Sequence, residues 1–329
     1  MPASRRRFLR GAGGTLCAAA LPAGVVRLAF ADNTREISFA CISDAHIQQI
    51  RGGQFVRNWD DQLRLAVAEI NRLRPAPDFV LFGGDLAQLG KRAELDHGAD
   101  ILSGLHAPCR MVVGEHDYYL NMGEHWRELF GPSHYSFALK GVHFIVLNNI
   151  LTSDNWSAQW PSAQRRMAEM ACLENPNCDA FRLGNAQLDW LARELAPLAN
   201  DTPLVLFTHA PLQQLYRPWN FWTEEAPVVH ALLARFRQVE VFHGHVHQQG
   251  QQQLGNIRFT ALPASAWAWP YAAPSVPTST RGASHIPLMT LGADDPARAA
   301  TGWELVNLHS GRAERQIVFP GTGPASVAG

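Results

Sequence analysis

The chain has 329 residues, 47% of them hydrophobic, with 28 lysines and arginines against 29 aspartates and glutamates. That is enough length and apolar content to bury a core without help from disulfides or a partner. No basic stripe suited to nucleic acid stands out, and beyond residue 31 no apolar run is long enough to span a bilayer, so neither a nucleic-acid partner nor stable membrane insertion is expected.

Residues 1–31 carry five arginines and no acid, which leaves the rest of the chain mildly acidic. Ser4-Arg5-Arg6-Arg7-Phe8-Leu9-Arg10 is followed by a weakly apolar Gly/Ala/Leu stretch, and Ala29-Phe30-Ala31 offers small residues for cleavage before Asp32. The segment resembles a twin-arginine export signal. That implies recognition by the twin-arginine export machinery, periplasmic delivery of an already folded protein, and one mature domain over 32–329. Cys17 would leave with the signal. Cys41 and Cys109 lie in or beside apolar runs and read as buried free thiols, while Cys172 and Cys178 flank a polar segment and could close a small disulfide in an oxidising compartment.

In chain order, a strand is expected over 37–43, a helix over 60–73 stopped by Pro75, a strand over 78–82, a helix over 93–105 and a short strand over 111–113. This alternation predicts α/β layering on a sheet buried on both faces. A hairpin follows over 135–139 and 142–147, turning at Lys140-Gly141. A second half repeats the rhythm, with helices over 186–195 and 228–236 and strands over 204–208 and 239–242. The polar stretch 152–183 is too long for an ordinary connection and reads as a lid or surface excursion. Strands over 257–261, 304–308 and 316–319 are expected to complete the second sheet.

Chemistry-bearing residues recur where these strands end. Asp44-Ala45-His46 follows the first strand, Gly83-Gly84-Asp85 the second and Gly114-Glu115-His116-Asp117 the third; Thr208-His209-Ala210-Pro211 and Gly244-His245-Val246-His247 do the same in the second half. Mixed carboxylate and imidazole donors suit Zn, Mn or Fe, whereas a calcium site would use oxygen alone. Gly84, Gly114 and Gly244 let the backbone turn and approach a ligand closely.

Singly these motifs are weak; in this order they resemble the calcineurin-like metallophosphoesterase pattern of Asp-x-His, Gly-Asp, Gly-Asn-His-Asp, His and Gly-His-x-His. Tyr135-Ser136-Phe137, Gly141-Val142-His143-Phe144 and Gln187-Leu188-Asp189-Trp190-Leu191 add to the likeness. The resemblance implies an α/β, four-layer αββα sandwich of two mixed β-sheets flanked by helices. It also implies two metal ions: Asp44, His46 and His247 on the first, Glu115, His209 and His245 on the second, and Asp85 between them. A bridging hydroxide would attack the phosphate ester, with His116 as general acid or electrostatic stabiliser and Asp117 orienting its ring. The family asparagine is here Glu115, a third formal negative charge, from which a mixed Fe(III)/divalent pair follows as one hypothesis and preference for a diester as another.

Two aromatic clusters follow ligand motifs: Tyr216, Trp219, Phe221 and Trp222 after His209, and Trp267, Trp269 and Tyr271 after His247. Tyr216, Trp219, Trp222 and Trp267 are candidates for contact with the organic part of a small-molecule substrate; Asn148, Asn149 and Tyr118 are candidates for polar contacts. The ligand set does not separate a monoester from a diester such as a cyclic nucleotide. Two other readings stay open on the sequence: a catalytically silent metal-binding envelope protein, and a binding module built on the aromatic loops.

Overall fold

The computed structural model describes residues 36–171, 179–215, 220–268, 301–309 and 311–318. The export-signal segment, the Cys172/Cys178 pair, Tyr216, Trp219, Trp269 and Tyr271 lie outside the described residues.

The first half runs β1 (Ile37–Ile42), β2 (Gln49–Arg51), β3 (Gln54–Phe55), α1 (Arg57–Arg72), β4 (Phe79–Phe82), α2 (Arg92–Leu102), β5 (Cys109–Met111), α3 (Glu115–Tyr118) and α4 (Glu124–Phe130). The hairpin β6 (Tyr135–Leu139) and β7 (Val142–Val146) follows, then α5 (Asp154–Gln159), α6 (Ala163–Met170), α7 (Asn185–Leu195), β8 (Leu204–Thr208), α8 (Ala226–Leu233) and β9 (Val239–His243). The chain closes with β10 (Gly250–Leu254), β11 (Ile257–Ala261), β12 (Trp303–His309) and β13 (Arg312–Val318).

Two mixed sheets result: a five-stranded one ordered β13-β12-β1-β4-β5 and a six-stranded one ordered β10-β11-β9-β8-β7-β6. In the first, β1, β4 and β5 are parallel; in the second, β7, β8, β9 and β11 are. The last two strands correct the sequence expectation. Of the three strands expected there, only β11 joins the second sheet, whereas β12 pairs antiparallel with β1 in the first. Nothing local in 304–319 distinguishes the two destinations.

Alternation along each strand sorts the core into three layers. On β1, Ala40 and Ile42 face α1 and α2, packing with Leu63, Ala66, Ile70, Leu95 and Leu102. Phe39 and Cys41 face the other way, beside Phe79 of β4, and meet Phe144, Phe207 and Phe242 of the second sheet. The outer face of the second sheet, including Ile145, Leu206 and Val241, packs on Leu191 and Leu195 of α7 and Val229 and Leu233 of α8. Helix, sheet, sheet and helix are thus the four layers. Cys41 and Cys109 are free thiols, the first buried and the second half-buried.

The excursion after β7 carries α5 and α6, each opened by a serine cap: Ser153 Oγ accepts from Trp156 N and Ser162 Oγ from Arg165 N. Its neck is closed by a bridge between Leu151 and Arg182, and it packs on the segment after β5, with Trp156 against Tyr119 and Arg166 Nε donating to the Tyr119 carbonyl. No helix among the described residues is long and apolar enough to cross a membrane.

Candidate metal centre

In parallel strands the C-terminal ends point the same way, so the loops after β1, β4, β5, β8 and β9 converge at one rim of the sandwich. The loop after β1 runs on beside the loop after β4: Asp44 N donates to Gly84 O, His46 N to Asp85 O and Ile47 N to Leu86 O, at 2.8–3.0 Å. Asp44, His46, Asp85, His245 and His247 all adopt left-handed backbone, with φ of 52°, 48°, 53°, 67° and 48°. Such conformations are strained for residues other than glycine and persist only where surroundings enforce them. Gly114 is required by close approach, since a Cβ there would overlap the Asp85 carboxylate.

All seven candidate ligands are buried, and their donor atoms fall into two adjoining clusters. Asp85, Glu115, His209 and His245 form one; Asp44, His46 and His247 form the other. Glu115 spans two imidazoles, with Oε1 2.7 Å from His245 Nδ1 and Oε2 3.0 Å from His209 Nε2. Asp85 Oδ2 is 3.2 Å from His209 Nε2 and 3.7 Å from His46 Nε2, so its carboxylate stands between the clusters.

The donor chemistry fits cations. His209 Nδ1 lies 2.8 Å from the Gly83 carbonyl, and since a carbonyl only accepts, the proton sits on Nδ1. The neutral ring then aims an Nε2 lone pair at two carboxylates. His247 Nδ1 likewise donates to the Trp267 carbonyl at 2.8 Å, leaving its Nε2 3.0 Å from His46 Nε2 and 3.3 Å from Asp44 Oδ1. His209 Nε2, His245 Nε2 and Glu115 Oε2 are buried without a hydrogen-bond partner. Acceptors facing acceptors in a buried site require protons or metal ions between them.

Without metal, protons take that part. Burial opposes charge on His209, yet Asp85 and Glu115 hold its pKa well above the ordinary histidine value. Burial would raise the carboxyls of Asp44 and Glu115, but His247 chiefly for the first and His245 chiefly for the second pull them well below the usual range. His46 goes the other way: burial, then the neighbouring rings of His116 and His247, push it well below its ordinary value.

His116 stands beside both clusters, its ring 4.8 Å from that of His46 and its backbone N–H donating to Asp85 Oδ1 at 3.0 Å. Its Nδ1 donates to the carbonyl of Gln88 at 2.6 Å. Asp117 therefore does not orient this ring, contrary to the sequence expectation. Its carboxylate accepts from Ala87 N (2.8 Å) and Gly114 N (3.1 Å), stapling the loops after β4 and β5 together. Burial and the nearby Asp85 raise the Asp117 pKa to about 7.

The remaining candidates divide. Trp267 packs on His46 and His247, with ring centroids 4.4 and 4.9 Å away. Trp222 is half-buried next to Phe221, whose ring lies 5.1 Å from that of His245. Asn148 and Asn149 are committed internally: Asn148 Nδ2 donates to Ser133 Oγ, and Asn149 Oδ1 accepts from the backbone of both His209 and Ala210. Tyr118 packs edge-on to Tyr119. Sequence reasoning missed Ser43, whose Oγ donates to Asp44 Oδ2 at 2.5 Å, as well as Gln88, Trp59 and Phe181. Ser43 was legible as a polar residue ending an apolar strand beside a candidate ligand. The others act through backbone groups or long-range ring contacts and leave no local signal.

Two clusters sharing a carboxylate between them, at the strand ends of an αββα sandwich, define a metallophosphoesterase with a two-metal centre. The chain belongs to the calcineurin-like phosphoesterase family, whose model matches residues 37–249. It is 25% identical over 240 residues to a 3′,5′-cyclic-nucleotide phosphodiesterase of Nostoc, covering 70% of this chain and 79% of the relative. A probable cyclic nucleotide phosphodiesterase of Rhodopseudomonas palustris is 31% identical over 183 residues, 53% of this chain and 57% of the relative, so that match spans little more than half of that protein. Among solved structures, a dimetal phosphatase from Danio rerio shares the fold at 15% identity and a TM-score of 0.54, covering 86% of this chain and 99% of that one.

Proposed function

We propose that this metallophosphoesterase hydrolyses phosphodiesters of the cyclic nucleotide class in preference to phosphomonoesters. The observation that carries the proposal is Glu115, 3% exposed and in contact with two candidate ligands, which makes it the third carboxylate of the centre beside Asp44 and Asp85. Two bound cations supply a water of lowered pKa and positive charge against the phosphate oxygens. A third carboxylate leaves less of that positive charge for the substrate, and a doubly charged monoester depends on it more than a singly charged diester. The names of the two bacterial relatives point to the same substrate class.

Asp44, His46 and His247 would hold one ion, Glu115, His209 and His245 the other, with Asp85 shared. His116 keeps Nδ1 on the Gln88 carbonyl, which leaves Nε2 to carry a proton toward the leaving oxygen. Burial opposes its charge, but Asp85, Glu115, the Gln88 carbonyl and Asp117 raise its pKa above the ordinary value. An Fe(III)/divalent pair would offset the third carboxylate, and metal analysis with electron paramagnetic resonance on protein purified without added metal tests it. We also propose periplasmic export through the twin-arginine machinery. Unchanged delivery after replacing Arg5 and Arg6 by Lys would overturn that part.

The test of substrate class compares kcat/KM for bis-p-nitrophenyl phosphate and p-nitrophenyl phosphate, with 3′,5′-cyclic AMP as a natural diester. The diester is expected to be preferred, and Glu115→Asn to shift the ratio toward the monoester by about tenfold, or about 1.4 kcal/mol. A monoester preference in the natural protein, or a ratio indifferent to Glu115→Asn, would overturn the proposal.

A further inference from the structure

A histidine that binds metal ordinarily has its second ring nitrogen held by a hydrogen bond, which fixes both the tautomer and the direction of the ring. His209 and His247 follow that rule through the carbonyls of Gly83 and Trp267. His46 does not: its Nδ1 is buried without a hydrogen-bond partner. Its ring direction is therefore set by packing. The ring nearest to it is the indole of Trp267, at 4.4 Å between centroids and 37° between planes.

Trp267 is itself firmly placed. Ser265 N donates to Ser43 O and Ala266 N to Asp44 O, so the chain leading to the indole is pinned to the end of β1 beside the ligands. The Trp267 carbonyl accepts from His247, and its ring lies 4.9 Å from that of His247. On the first turn of α1, Trp59 packs against the indole at 4.9 Å. Trp267 thus touches two members of the Asp44–His46–His247 cluster, and its neighbour Ala266 is bonded to the backbone of the third. The ring walls of the other cluster come from elsewhere, with Phe181 and Phe221 against His245.

We propose that Trp267, braced by Trp59, is the positioning residue of the first metal position, its indole doing for His46 what a carbonyl hydrogen bond does for His209 and His247. It acts through His46 and His247 on the ion they would hold, and leaves the Glu115–His209–His245 position independent of it. The proposal rests on the two-metal assignment above.

The experiment measures metal content and stepwise affinity of the purified full-length protein and its Trp267→Ala, Trp267→Phe and Trp59→Ala variants, using Mn(II) with competing chelator. Far-UV circular dichroism reports folding. The natural protein is expected to hold two ions per chain. Trp267→Ala should retain one and bind the other about 10–100-fold more weakly. Trp267→Phe, which keeps a flat ring and the same carbonyl, should restore most of the lost affinity, and Trp59→Ala should show a smaller loss at the same position. Two ions held with unchanged affinity by Trp267→Ala, or parallel loss of both from a folded variant, would overturn the positioning role. Should Trp267→Ala fail to fold, first-position affinity in folded Trp59→Ala unchanged from the natural protein would overturn it. Failure of the natural protein to bind a second ion would instead overturn the two-metal assignment, and with it this inference.

Discussion

The five-stranded sheet sends Asp44, His46, Asp85 and Glu115 to the rim; the six-stranded sheet sends His209, His245 and His247. The first group carries every carboxylate and is tied together by backbone hydrogen bonds between its own loops. The second is all imidazole, and it reaches the first across the seam, as in the bonds from His245 N to Asp44 Oδ1 and from His209 Nδ1 to Gly83 O. Neither sheet offers a complete donor set for either cluster. The centre is therefore a product of the alignment between sheets, and that alignment is fixed by the phenylalanine layer.

Breaking the shared element should have the largest effect. Asp85→Ala removes the carboxylate between the clusters and is expected to lose both ions; losing several kcal/mol of charge stabilisation would lower kcat by about a thousandfold or more. Metal analysis decides, because retention of one ion would show that Asp85 serves a single position.

Next comes the seam itself. Phe39 is fully buried and contacts Phe79 within its own sheet and Phe207 and Phe242 across the gap, at 4.8, 5.8 and 5.6 Å. Phe39→Ala should destabilise the fold by about 3–5 kcal/mol and weaken metal retention although it touches no ligand. Denaturant titration read beside metal affinity would sharpen the comparison: weaker folding with unchanged affinity would mean that the rim holds its geometry without the layer beneath it.

His116 gives a smaller and more selective effect. His116→Ala should keep both ions and lower kcat about a hundredfold on esters with poor leaving groups, less on p-nitrophenyl esters. As a proton donor it must be protonated, so activity should fall as pH rises through its pKa. That alkaline limb of the pH–rate profile should disappear in the variant; its persistence would assign the proton to another group.

The same division explains what the sequence made legible. Every candidate ligand sits within five residues of a short apolar run, where strand periodicity and motif order both speak. The resemblance implied the two-sheet arrangement, and the seven side chains it singled out lie together at the rim. What was illegible depends on contacts distant along the chain. β12 finds β1 by a pairing that no local pattern encodes. Gln88 orients His116 through its carbonyl, a group every residue possesses. Asp117 reads as a ring-orienting acid beside a catalytic histidine, yet its carboxylate points at the Ala87 and Gly114 amides, because a single helical turn over Glu115–Tyr118 carries the histidine around to another side.

The left-handed backbone at five of the seven ligands sets function against stability. At an ordinary strand or helix position glycine is the poorer choice, since it loses more conformational freedom on folding. At His247, with φ of 48°, the order should invert: His247→Gly is expected to be more stable than His247→Ala by about 1 kcal/mol, measured by thermal melting of the metal-free proteins. Both variants lose a ligand, so the gain comes with no activity to favour it. Selection for stability alone would move these positions toward glycine, and only the demand for bound metal opposes that drift.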